Sequence, residues 1–192
     1  MKILLSLLAL VATLLSSRAS DLSIQVLSEM NLARTAPQQY ARIVAERMTD
    51  YEGREGHRVV EEAVRFLQKA KPLPPLTFSP GLSNAALLHV IAQGPSGGRG
   101  HGNPWQRIAQ FGTWSGSAGE NIHYGSREPR SIVIALIVDD GVRGRKHRAN
   151  IFSKNFRVTG VACGAHSTMR AMCVMEFAGS FLERGTSPIA GL

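Results

Sequence analysis

The chain has 192 residues, two cysteines, and 22 lysines and arginines against 14 acidic residues, for a formal charge of +8. Apart from Arg143–Arg148 the basic residues are scattered, and no aromatic residues interleave with them, which argues against a base-stacking nucleic-acid surface. The length fits one domain able to bury roughly 70% of its unfolded surface, and a basic surface on an exported chain would either meet an anionic cell envelope or matrix or serve only as a solvated face.

Lys2, the apolar run Ile3–Leu15 and the small-residue site Ser17-Arg18-Ala19 read as a secretory signal over residues 1–19. The run is shorter than the roughly 20 residues a spanning helix needs. Cleavage after Ala19 would leave 20–192 as one domain without a transmembrane segment, secreted to the extracellular space or periplasm and expected as a monomer. Asp21 is placed to cap a first helix to about Arg34, with Ile24, Leu27 and Met30 on one face. Thr35 is a candidate N-cap for a second helix, with Pro37 in its first turn and Tyr40, Ile43 and Val44 inward. Val59–Lys69 is amphipathic, with Val60, Ala63, Val64 and Leu67 at helical spacing. Pro72, Pro74 and Pro75 form an extended linker. Ser79-Pro80 opens another helix to about Ala92.

Gly94–Gly102 reads as a glycine-rich loop, Pro104–Phe111 as a short helix, and Gly119–Tyr124 as a strand. Ser131–Val138 is apolar on every side and is expected as a buried helix. Arg157–Phe181 reads as a hairpin turning near Ser167. Counting outward from Thr168 sets Cys163 opposite Cys173, close enough for a disulfide. Exported proteins meet oxidising conditions, so the pair is expected to be bonded. Helices early and strands late suggest an α+β fold, with helices on an antiparallel sheet.

Gly94-Pro95-Ser96-Gly97-Gly98 matches a nucleophile-elbow pattern, but that motif needs a strand before it and a helix after it, and here a helix precedes it. Three polar islands carry more chemistry: Gly100-His101-Gly102, Gly119-Glu120-Asn121-Ile122 and Lys146-His147-Arg148-Ala149-Asn150. Neutral imidazoles bind zinc, and carboxylates orient imidazoles or activate water. Spacing alone does not bring the islands together, and solvated polar residues would give the same pattern.

In order along the chain, six pieces resemble the CAP superfamily (cysteine-rich secretory, antigen 5 and pathogenesis-related proteins) in its bacterial form. They are Asn31-x-x-Arg34-x-x-Pro37-x-x-Tyr40, Leu82–Ala86 with His89, His101, Gly119-Glu120-Asn121-Ile122, His147–Phe152, and Val158–Cys163. The resemblance implies an α-β-α sandwich with a central antiparallel sheet, its core about 22–182. It also implies an open cleft of two histidines and two acids that can hold a divalent metal such as zinc. His101, Glu120 and His147 carry over directly, with Asn121 beside them. Ile137 stands where the family often has tryptophan, leaving Asp139 or Asp140 as the second acid. A three-residue helical spacing from Ile137 favours Asp140.

His89 reads as a packed, hydrogen-bonded residue, His123 as a surface or cleft-rim residue, and His166 as a turn neighbour. Three functions remain: a lipid-, sterol- or surface-binding module; a metal-dependent hydrolase with Glu120, Asp139 or Asp140 as acid or base; or a signalling protein with a vestigial cleft. Two histidines without a third ligand give only a weak, exchangeable zinc site, and no nucleophile is evident, which favours binding.

Overall fold

A computed structural model describes residues 21–185. The expected signal segment 1–19 lies outside the described residues.

Helix α1 covers 21–35. Its inward face is Val26, Met30 and Ala33, a spacing of four and three. Ile24, expected inward, is exposed, and Asp21 is already helical, accepting Gln25 Nε2 at 3.0 Å. Thr35 does not cap the next helix: it ends α1 with its hydroxyl on the Asn31 carbonyl at 2.8 Å, and Ala36 takes the capping position without a side-chain bond. Then follow α2 (Pro37–Arg47) and α3 (His57–Lys69). The two-residue strand β1 (Thr77–Phe78) comes out of the proline linker, and α4 spans Pro80–Ser96. Ser79 caps α4 by accepting from the Leu82 N–H at 3.1 Å.

The remaining elements are α5 (Pro104–Phe111), β2 (Gly112–Tyr124), α6 (Pro129–Val138), α7 (Lys146–Ile151), β3 (Val158–His166) and β4 (Arg170–Glu183). The sheet order is β1-β3-β4-β2. Its β3–β4–β2 part is antiparallel, and β1 joins β3 in parallel. Strand β2 is therefore an edge strand, and it starts seven residues earlier than its polar signature suggests, at Gly112.

Period-two alternation on β4 separates two layers. Cys173, Met175 and Phe177 join the core formed with α1, α2, α3 and α6. Met172, Val174 and Ala178 face α4 and α5. The result is an α-β-α sandwich. Helix α4 lies flush on β3 because Gly160 has no side chain: a Cβ there would overlap the Ser83 nitrogen. Cys163 and Cys173 are register partners, bonded to each other with their Cα atoms 4.1 Å apart. Closing so short a loop stabilises by roughly 2–3 kcal/mol.

Part of the conspicuous wording proves to be scaffold. Asn31 bonds both the nitrogen (2.8 Å) and the carbonyl (3.1 Å) of Leu76. The fully buried Arg34 guanidinium donates to the carbonyls of Pro74, Ile151, Ser153 and Phe156. The polar half of the Asn-x-x-Arg pattern thus ties α1 to the proline linker and to the end of α7 with the loop after it, satisfying carbonyls that no ladder or helical turn takes up.

Candidate functional site

Helix α6 is built to end sharply. Glu128 caps its start, Pro129 is in its first turn, and its apolar body is buried on nearly all sides. It stops at Asp139, which takes a left-handed conformation with φ 58°. That turn aims the Asp139 carboxylate at the start of α7. Asp139 Oδ2 accepts from the His147 N–H at 2.8 Å, and Oδ1 meets His147 Nδ1 at 2.6 Å. A carboxylate beside the first backbone N–H groups of a helix is favoured by the helix dipole.

Asp140, the acid favoured by helical spacing, does another job. Its carboxylate accepts from Tyr51 Oη at 2.8 Å and from the nitrogens of Arg54 (2.6 Å) and Glu55 (3.0 Å). The spacing argument fails because α6 has ended by Val138, so residues 137 and 140 no longer share a helix face. Burial and the Asp140 contact together push the Tyr51 hydroxyl up to about 12.

His101 sits in a loop shaped by Gly100 (φ 110°) and Gly102 (φ 56°), conformations that L side chains rarely adopt. The Gly100 carbonyl meets both His89 Nε2 and Gln93 Nε2 at 2.9 Å, and the Gly100 nitrogen donates to Tyr124 Oη at 3.0 Å. His101 Nδ1 meets Glu120 Oε1 at 2.6 Å. The other Glu120 oxygen accepts from Arg107 Nη2, which also reaches Glu176 Oε1 at 3.4 Å. The hydrogen bond to Glu120 raises the His101 pKa.

The two pairs meet on β2. Asn121 Nδ2 donates to the His147 carbonyl at 3.0 Å, and Asn150 Nδ2 donates to Asn121 Oδ1 at 2.8 Å and to the Glu120 carbonyl at 3.3 Å. The second and third islands therefore lock into each other through their amides. Glu120 faces the α4–α5 layer, and Asn121 faces α6 and α7. The His101–Glu120 and His147–Asp139 pairs thus flank one edge strand, rooted at consecutive residues. In each pair the carboxylate can only accept, so Nδ1 carries the proton and Nε2 keeps a free lone pair when the ring is neutral. Neither Nε2 has a hydrogen-bond partner among the described residues. The His101 side chain is 53% exposed and that of His147 21%.

Sequence reasoning missed Arg107 and Glu176 in this environment and took His123 for a surface or cleft-rim residue. His123 is partly buried on β2, accepts the Ser126 N–H at Nε2 (3.3 Å), and is pushed down to about 4 by burial and by nearby His147. Arg107 on α5 braces Glu120 from below. Glu176, fully buried on β4 directly across from Glu120, is pushed up to about 9 by burial and by the Glu120 charge. Ionised, its Oε2 has no donor among the described residues; protonated, the carboxyl group can itself donate to Glu120. The alternating row Met172, Val174, Glu176, Ala178 held the signal, as a lone carboxylate on an inward apolar face.

Other candidates resolve as structure. Gly94–Ser96 is the last turn of α4 and not a loop, with Gly97 left-handed after it and Ser96 Oγ on the Gln93 carbonyl at 2.9 Å. No nucleophile elbow forms there. His89 is buried, and burial lowers its pKa. His166 bonds the Gly98 carbonyl through Nε2 at 2.7 Å. The basic cluster Arg143–Arg148 is largely spent. Arg145 pairs with Glu55 and Glu62, and Arg148 bonds Glu62 and the carbonyls of Ile137 and Val138.

A separate cavity of about 340 Å³ lies between α2 and α6. Met48, Ile134, Ala135 and Val138 supply apolar wall, and Arg47, Tyr51, Ser131 and Asp140 supply the polar part of the lining. Among the described residues no helix is long and apolar enough to cross a membrane.

The family model for CAP, the cysteine-rich secretory protein family, matches residues 27–177, and the chain belongs to that family. Among solved structures it is similar to an outer surface protein from Borrelia burgdorferi, at 17% identity and TM-score 0.46, over 63% of this chain and 86% of that one. It is also similar to a cysteine-rich secretory protein from Staphylococcus aureus, at 13% identity and TM-score 0.41. That likeness covers 64% of this chain but only 38% of the other. No curated protein sequence matches it.

Proposed function

We propose that this CAP-family chain is a secreted binding module that takes a lipid, with a slender acyl chain or comparable amphiphile held between α2 and α6. The observation that carries this reading is the cavity of about 340 Å³, at the small end of the usual range for ligand pockets, with Met48, Ile134, Ala135 and Val138 as apolar wall beside Arg47 and an Asp140 already engaged by Tyr51 and the nitrogens of Arg54 and Glu55. Apolar walls supply the binding energy, and the guanidinium suits a carboxylate or phosphate head. Native mass spectrometry of the purified protein, as isolated and after incubation with fatty acids and sterols, tests it. Ala135→Phe, which fills the cavity, should abolish capture; undiminished capture in this variant, or none in the unmodified protein, would sink the proposal.

A second property is supported by the imidazole pairs. A ligating histidine ordinarily donates its other nitrogen to a carboxylate, as both do here. Among the described residues no three His, Cys, Asp or Glu side chains are grouped to share an ion. A divalent ion would therefore draw on the Nε2 atoms of His101 and His147 and otherwise on water, giving a weak, exchangeable site. Hydrolysis is the less favoured reading, because both Glu120 oxygens are already engaged by His101 and Arg107. Zinc should raise the melting temperature of the protein, and His101→Ala or His147→Ala should remove that rise.

A further inference from the structure

Three of the exposed large apolar side chains gather at one end of the molecule: Phe78 (51% exposed), Trp105 (46%) and Leu182 (77%). Trp114 packs beside Trp105, with ring centroids 6.2 Å apart, and pairs across the ribbon with Phe181. The next pair, Thr113 and Leu182, points to the other face of the ribbon, so this projecting end carries apolar side chains on both of its faces. Phe78 joins them because the next residue, Ser79, donates to Glu183 Oε1 at 2.7 Å, directly beside Leu182. Helix α4 starts here, α5 ends here, and the start of β2 and the end of β4 project beyond β3. Polar surroundings would leave such a cluster of tryptophan, phenylalanine and leucine unexplained in a chain with only two tryptophans, both of which are here.

The charges at this end are predominantly positive. Segments 74–84, 103–118, 152–160 and 178–185 contain a single acid, Glu183. Its carboxylate is already satisfied by the Ser79 hydroxyl and the Gly81 N–H at the start of α4. Lys154, Arg157 and Arg184 are exposed and have no ion-pair partner among the described residues. Arg157 is tied into the end by its carbonyl, which accepts from Thr77, the neighbour of Phe78, at 2.8 Å. Arg184 is held by its own N–H on the Phe111 carbonyl at 2.7 Å. The loop carrying Lys154 runs beside Gly179 of β4. This contrasts with the Arg143–Arg148 cluster, whose Arg145 and Arg148 are already paired.

From this placement we infer that the α5–β2–β4 end docks on an anionic lipid surface, with Trp105, Leu182 and Phe78 entering the interface and Lys154, Arg157 and Arg184 meeting the headgroups. Tryptophan favours the headgroup level, where its ring is amphipathic. Each cation near an anionic leaflet contributes about fivefold in affinity, and the contribution is screened by salt. One apolar insertion beside a basic patch supplies the two signals that stable peripheral binding requires. The surface is distinct from the α2–α6 cavity and does not depend on it.

The test uses the full chain and vesicles of phosphatidylcholine, alone or mixed with phosphatidylglycerol, with acyl chains brominated to quench tryptophan. Both tryptophans lie at this end, so their fluorescence reports its insertion directly. The expected result is quenching on the anionic vesicles only, weakening with added salt. Leu182→Asp should lower partitioning about tenfold or more, and Lys154→Glu and Arg184→Glu about fivefold each. All three positions are exposed, and an unchanged melting temperature checks that the variants fold. Ala135→Phe should leave docking intact, which separates this proposal from lipid capture in the cavity. Vesicle binding without quenching would overturn the inference by placing the contact elsewhere, as would absence of binding. Self-association that Leu182→Asp abolishes would also overturn it, by giving the face to a second copy.

Discussion

The two histidine–carboxylate pairs have the same 2.6 Å contact but opposite supports. The His147 pair is local. Eight residues separate its members, and Asp139 holds both the imidazole and the backbone nitrogen of the same residue. Its foundation is the end of α6, where Arg148 takes the last carbonyls and bonds Glu62. The His101 pair is assembled from a loop and a strand nineteen residues apart, above an arginine and a second, buried carboxylate. One imidazole is oriented by backbone geometry, the other by an ionic network. The first should respond to changes in helix ends, the second to pH.

The largest effect is expected from removing the foundation of the first pair. Arg148→Ala would leave the carbonyls of Ile137 and Val138 without their donors and remove a cation from a buried site, at about 3 kcal/mol. Chemical denaturation would read this loss, and the His147 side should loosen while the disulfide-linked hairpin keeps its protection against hydrogen exchange.

Next comes the acid beneath the second pair. Glu176 keeps its proton in the fold up to about pH 9, whereas the ordinary carboxylate value is 4.5. Between those values the unfolded chain binds fewer protons than the folded one, so this group lowers stability as pH rises through the window. Glu176→Gln keeps an acceptor for Arg107 and removes the ionisation. It should stabilise the protein by about 1–3 kcal/mol at the alkaline end of that window and flatten the slope. Melts of both proteins across the window check it; an unchanged slope would show that Glu176 is already ionised in the fold.

The smallest effects separate two adjacent aspartates. Asp139→Asn should weaken zinc-dependent stabilisation about tenfold or more by releasing the His147 tautomer. Asp140→Asn should leave it unchanged while costing about 1 kcal/mol through the 53–55 loop. Equal effects of the two changes on zinc would erase the distinction drawn between them. His123 sharpens the same side: its imidazole resonances should show no protonation until about pH 4. Because the unfolded ring protonates near 6.5, stability should fall as pH falls through that interval.

Much of the fold was legible in the sequence because local rules and tertiary demand agree there. The apolar body of α6, the Ser79-Pro80 start of α4 and the cysteine register each follow from short-range patterns that the packed molecule keeps. The misses have a common cause. Ile24 is on the wrong side of α1 because Val26, Met30 and Ala33, all fully buried, make the face that joins the main core. Thr35 closes one helix instead of opening the next, since its hydroxyl finds the Asn31 carbonyl. The loop expected from Gly94 is helical because the turn packs against β3, where a Cβ on residue 94 would overlap the Ala165 carbonyl.

The site divides the same way. The identities of His101, Glu120, Asn121 and His147 stand out in the sequence as polar islands with a recognisable order. Their chemistry does not, because an imidazole's proton and a carboxylate's charge are set by what packs around them. Periodicity and ordered motifs were enough for the layers, the disulfide and the family. Packing in three dimensions was needed to turn Asp139 and not Asp140 toward His147, since a left-handed residue at a helix end redirects neighbouring side chains. The same packing brought Arg107 and Glu176 beneath Glu120 from segments far apart in the chain, where burial turns an ordinary carboxylate into a neutral acid.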